Sequence, residues 1–252
     1  MKNLKLFLIL ILIFAVDSYA QIGGTVYVGS GQTYTSFTRN EAAGLFRTIN
    51  TVGLSSNLTV YVTSDITNET GAVQLNQWST GSSYTVTILP SAATIRNIYG
   101  SNGTSLITIN GADNVTFDGR YSGSGVYFNI YNTNSDGSVI RMWNGATYNT
   151  IQYCKLGSRD DGTTTGTQGT IGFLSTTNTT GNSYNTISYC EIYNSDATDL
   201  PVNGVYSEGN ASYPNSNNTI SNNKIYNFDS YGIYIKFRGN GNNWTITDNS
   251  IY

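Results

Sequence analysis

The chain has 252 residues, 11% charged and 13% aromatic, with 31 Asn, 27 Gly, 20 Tyr and no His. A formal net charge of −3 excludes the basic footprint of a nucleic-acid binder. So few charges among so many aromatics also exclude the composition of a disordered chain, leaving a folded, polar, strand-rich protein.

At the N-terminus Lys2 and Lys5 precede an apolar run from Leu6 to Val16, and Ser18-Tyr19-Ala20 ends in small residues. This pattern predicts an export signal over residues 1–20, cut before Gln21, and a secreted or outer-surface location. The run is too short to span a bilayer, and no second apolar stretch of membrane length occurs after it. The mature chain would carry 10 basic and 14 acidic residues, a net charge of −4.

Residues 21–56 read as an N-terminal strand and a capping helix. In "TRNEAAGLFRTIN", residues 38–50, Thr38 and Glu41 match a capping box, and Ala42, Leu45, Phe46 and Ile49 share one face. Such a helix is expected to close the open end of the repetitive region beyond it.

Residues 57–252 form that region. "NTISYCEIYNS" at 185 returns as "NTISNNKIYNF" at 218, and the first apolar residues of successive units are Phe117, Ile151, Ile187, Ile220 and Ile246, spaced by 34, 36, 33 and 26. A period in this range signals a solenoid. A second anchor stands five residues later at Leu156, Ile192, Ile225 and Ile251, and a third run appears at 138, 170, 204 and 232. The runs are short, rich in Thr, Ile and Tyr, and broken by Asn and Gly, so they are strands. Val60 and Ile88 extend the beat upstream. The expectation is an all-β parallel solenoid of about seven three-strand coils, a rod about 30 Å long. A fourth position, Cys154, Cys190, Asn223 and Asn249, predicts a column at a turn, with stacked amides and with stacked thiols favoured over a disulfide, which export would permit but in-register Cβ spacing disfavours. Two Cys without His are too few for a transition-metal site. The chain stops at Tyr252 in mid-coil, so continuation past that residue is expected.

The motifs "NNTISNNKIYNF…YGIYIKFRGN" and "NVTFDGR" resemble the right-handed parallel β-helix, or pectin-lyase-like, superfamily over most of the mature chain, and the Asn/Thr-rich surface proteins of Bacteroidetes. The resemblance implies fold more than activity, since that superfamily includes lyases, hydrolases, adhesins and tailspikes.

Two classes of function are open. For an enzyme, Asp160 and Asp161 in "GSRDDG" are candidate acid and base for glycoside hydrolysis, although adjacent Asp residues flanked by Gly also form turns. The Gly-His-Gly motif of polygalacturonase-like relatives has no counterpart, and Lys236 and Arg238 reverse the order of their Arg-x-Lys. Pectate-lyase-like members use calcium held by acidic residues and an Arg or Lys base, and the resemblance makes Asp118 and Arg120 in "FDGR" the candidate carboxylate and base with calcium as cofactor. "NTNSDG" at 132 resembles the start of a calcium loop, but Asn132 stands where Asp is usual and Trp143 where a Glu is needed, which fits a turn. For a scaffold that contacts an extracellular polysaccharide or surface glycan, Tyr193, Tyr226 and Tyr252 should form an outward column, with Tyr206 and Tyr234 matching them on the third strand. Cross-strand stacking would explain the same rings without a ligand.

Overall fold

The computed structural model describes residues 20–79, 81, 83–162, 168–174, 180–236 and 240–252. The expected signal, apart from its last residue, and Arg238 lie outside them. Three parallel sheets form the faces of a β-solenoid, with eight, seven and six strands. Each coil contributes one strand per face, as in Thr186–Ser188, Glu191–Asn194 and Asn203–Ser207. Six coils are complete, from Leu54–Val62 through Tyr231–Ile235, and Thr245–Thr247 and Ser250–Ile251 begin a seventh.

The anchors line up as the period demands. Val60, Ile88, Phe117, Ile151, Ile187, Ile220 and Ile246 pair in one register along the first face. Ile66, Ile98, Ile130, Leu156, Ile192, Ile225 and Ile251 do so along the second. Along the third run Ile107, Ile140, Ile171, Val205 and Ile233. All are buried except at the end of the stack, where Ile233 in the sixth coil is partly covered and Ile246 and Ile251 in the seventh are exposed. Burying each such side chain contributes about 1.5–3 kcal/mol, and a one-residue slip would turn a whole file outward.

The corners are fastened by amides. Asn185, fully buried, accepts the Asn149 amide at 3.0 Å and donates to the Ala146 carbonyl at 3.0 Å and to Asn218 Oδ1 at 3.1 Å. Asn149 in turn accepts the Val115 amide at 2.9 Å. Asn149 and Asn185 therefore each bond the coil before and the coil after, which explains why the "NTI" Asn recurs with the Ile. A second ladder joins Asn223 to Asn249 Oδ1 at 3.0 Å, and Asn249 donates to the Ile220 carbonyl at 2.8 Å. A third ladder joins Asn182 to Asn215 at 3.2 Å. Cys190 extends the second ladder, its amide donating to Asn223 Oδ1 at 2.9 Å, and both Cys154 and Cys190 are buried free thiols. Burial, with the neighbouring thiol, pushes the Cys154 thiol up.

The N-terminal helix is shorter than the capping box implies, spanning Leu45–Val52 with Gly44 at its N-cap and no side-chain cap. Leu45, Phe46 and Ile49 are buried as expected, while Ala42 is exposed before the helix begins. Thr38 serves another purpose. Its hydroxyl and its amide, the amide at 2.8 Å, donate to the buried carboxylate of Glu69, joined by the Ser36 hydroxyl at 2.8 Å and the Phe37 amide at 2.6 Å. A buried carboxylate must be satisfied in this way, and this demand outcompetes the cap. Phe37, held by this clamp, packs on Phe46 at 5.6 Å and on Phe117 at 6.3 Å between ring centroids.

Candidate functional site

Because side chains alternate along a strand, the residues flanking the second-face anchors point outward in rows. One row contains Tyr99, Tyr131, Gly157 and Tyr193, and Tyr226 and Tyr252 continue it. Tyr193 stacks on Tyr226 at 6.0 Å and Tyr226 on Tyr252 at 5.5 Å, and Tyr252 is 71% exposed. Tyr99 and Tyr131 form their own stack at 4.6 Å. Gly157 interrupts the row, and a Cβ there would lie 3.0 Å from the Tyr193 ring. The gap lets Tyr193 lean back two coils, where its hydroxyl donates to Asn129 Oδ1 at 2.8 Å. Burial pushes that hydroxyl up to about 12.

The adjacent row is polar. Asn97 donates to Asp65 at 3.0 Å and Asn129 to Asn97 at 2.9 Å, a chain that ends on Tyr193. Beyond it Lys155 pairs with Glu191 at 3.0 Å. Between the rows lies a groove of about 490 Å³, walled by Ile95, Val126, Tyr193 and Tyr226 and edged by Lys155 and Glu191. Its size falls within the ~300–1,000 Å³ of small-molecule sites.

Tyr206 does not join an exposed platform. It shares an outward row with Arg141 and Gly172, yet Tyr206 is only 1% and Arg141 8% exposed. Its hydroxyl donates to Glu208 at 2.5 Å, and Glu208 also pairs with Lys236. Tyr234 is partly exposed and tilted 53° against Tyr206.

The four weighed charged residues split between two corners. Asp118 and Arg120, between the first and second faces, form a bidentate pair at 2.9 and 2.7 Å, with Gln152 donating to Asp118 at 2.9 Å. Arg120 also lies 4.4 Å over the Tyr153 ring, and its bond to Asp118 raises its pKa, so it is held protonated rather than poised as a base. Asp160 and Asp161 occupy the corner between the second and third faces. Asp160 is fully buried and accepts the amides of Gly162 and Gly169, each at 3.1 Å. Burial pushes it up to about 7. Its oxygens face backbone rather than a cleft, whereas Asp161 borders a separate surface hollow with Asp199 and Asp229.

The loop beginning at Asn132 is a turn. Its side-chain oxygen accepts the amides of Asn102 and Asn134 at 3.1 and 3.2 Å, and its nitrogen donates to the Asn102 and Ser138 carbonyls at 2.8 and 3.0 Å. Two backbone amides thereby occupy the Asn132 side-chain oxygen. Among the described residues no group of three or more His, Cys, Asp or Glu could hold a metal ion, and no helix is long and apolar enough to cross a membrane.

Both ends of the first face turn through the left-handed region. Asn114, Tyr148, Tyr184, Asn217 and Asn243 do so at one corner, with φ between 56° and 65°, and Tyr153, Tyr189, Asn222 and Asp248 at the other, between 51° and 57°. Asn and Asp tolerate this conformation, whereas for bulky Tyr it costs about 1–3 kcal/mol per residue. Tyr148 and Tyr184 stack at 4.9 Å, and Tyr153 and Tyr189 at 4.7 Å. A stack returns only about 0.5–1.5 kcal/mol per pair, so stacking alone does not offset two strained rings. These four tyrosines escape a reading based on strand alternation because they stand outside the strands.

Comparison with known proteins finds no match: no family model, no curated protein and no solved structure aligns with the chain.

Proposed function

We propose that this chain is an exported β-solenoid scaffold, of the cell surface or the extracellular space, that contacts a glycan without turning it over. The observation that carries this reading is the tyrosine stack, half-buried at Tyr193 and Tyr226 and exposed at Tyr252, beside a row of amides and an ion pair at the edge of the 490 Å³ groove. Flat rings supply the apolar face that a sugar's C–H side requires, and amides supply its hydroxyl partners. Support for contact over catalysis comes from the separation of Asp118 and Arg120 from Asp160 and Asp161. Glycosidase carboxylates must face each other across about 5–9.5 Å, and these pairs occupy different corners. Export is inferred from the pattern of residues 1–20, and kinship with pectin-lyase-like surface proteins from the repeated motifs.

A glycan array with the wild type and the Tyr193→Ala/Tyr226→Ala variant tests the assignment. Binding by the wild type that falls at least ten-fold in the variant is the expected result. Binding that the double substitution leaves intact would remove the groove from the account, and reducing sugar released from a bound polymer would remove the non-catalytic half.

A further inference from the structure

The strained corner carries a site of its own. Tyr148 and Tyr184, 57% and 49% exposed, stack on successive coils at a position where the other coils place Asn114, Asn217 and Asn243. Where the ring row gives way to Asn217, the surface sinks into a hollow of about 430 Å³. Tyr184, Tyr213 and Pro214 give it apolar walls, and Thr180, Ser212 and Ser216 give it hydroxyls. Two of its lining residues meet closely, since a Cβ on Gly181 would fall 2.0 Å from the Pro214 carbonyl oxygen. Among the described residues none that lines it is charged. This is a different chemistry from the Tyr193 groove, which has Lys155 and Glu191 at its edge.

We propose that this hollow is a second carbohydrate site, specific for uncharged sugar rings. An aromatic wall accepts the C–H face of a pyranose. The hydroxyls and the Asn217 side chain match sugar hydroxyls, which donate and accept alike. A uronate or sulfated sugar would bring a negative charge to a lining whose described residues offer no cation to pair it, and that desolvation is unfavourable.

The corner supplies its own conservative variant. Tyr148→Asn/Tyr184→Asn installs the residue that neighbouring coils already carry there, so the fold is retained and the melting temperature stays level or rises. Tyr153→Asn/Tyr189→Asn relieves the same strain at the opposite corner, away from the hollow, and serves as control. The probes are neutral glucan, mannan and galactan oligosaccharides beside oligogalacturonate, with affinities measured by calorimetry and tyrosine protection read by hydroxyl-radical footprinting. The expected result is neutral binding that protects Tyr184 and Tyr213, falls at least ten-fold in the Tyr148/Tyr184 variant and is unchanged in the control. Neutral sugars that fail to protect Tyr184 and Tyr213, or binding that both variants retain, would overturn the proposal. The Tyr193 groove is read separately by protection of Tyr193 and Tyr226, so either site can fail while the other stands.

Discussion

Replacing Asn185 by Ala should remove a large share of the stability of the central coils. The substitution deletes the bonds from the Asn149 amide and to the Ala146 carbonyl, both 3.0 Å, and the bond to Asn218 Oδ1 at 3.1 Å. Three buried hydrogen bonds at about 1 kcal/mol net each, with about 1–3 kcal/mol more for an Asn149 N–H left without an acceptor, give a loss of about 4–6 kcal/mol. Whole domains have about 5–15 kcal/mol in total. Asn185→Asp keeps the acceptor but turns a carboxylate oxygen toward the Ala146 carbonyl and Asn218 Oδ1, so at pH 7 it should be at least as damaging. Thr186→Ala, one residue on and facing outward, should stay within about 0.5 kcal/mol of wild type. Urea unfolding followed by circular dichroism measures all three, and hydrogen exchange at Asn149 reads the orphaned amide directly. An Ala variant within about 1 kcal/mol of wild type, or an Asp variant as stable as wild type, would refute the role given to the ladder.

Two further outcomes rest on buried titratable groups. Asp160 is pushed up to about 7, above its unfolded value near 3.9, so the folded state holds the proton between those limits and binding it favours folding. That contribution is complete below about pH 4 and lost as pH rises through about 7, and it amounts to at most ~4 kcal/mol. Relative to Asp160→Asn, wild-type stability should therefore decline across this window, and a constant difference would contradict the burial argument. The Cys154 and Cys190 thiols should resist a thiol-reactive dye in the native state at pH 8 and react fully in denaturant. Fast native labelling of either would place it at the surface.

Period and anchor type made the solenoid legible, because Ile151, Ile187 and Ile220 must sit over one another and the chain repeats them at nearly constant spacing. Stacking of Asn223 on Asn249 was legible for the same reason. The ladder through Asn149, Asn185 and Asn218 was harder to read, since an Asn just before a strand looks like an ordinary turn residue until the neighbouring coil supplies its partner. Thr38 with Glu41 three residues on carries the local signature of a helix start, yet a carboxylate 31 residues away claims that hydroxyl. Tyr206 obeys strand alternation but is buried, and alternation says nothing about what covers a face. The left-handed tyrosines show the converse, a backbone conformation that residue type argues against and only the coil geometry imposes.

The amide ladders also bear on how such a rod changes length. Asn149 and Asn185 each bond the preceding coil through the side chain and offer the backbone N–H to the next, so an added coil of this kind finds both joints ready and a deleted one leaves both compatible. Duplication or loss of one unit needs no new chemistry at the seams, and the connections between faces can lengthen without disturbing them. Reach is thus a quantity that recombination can tune in steps of one coil, about 4.8 Å, while the tyrosine-walled groove and hollow stay tied to the individual units that carry their rings.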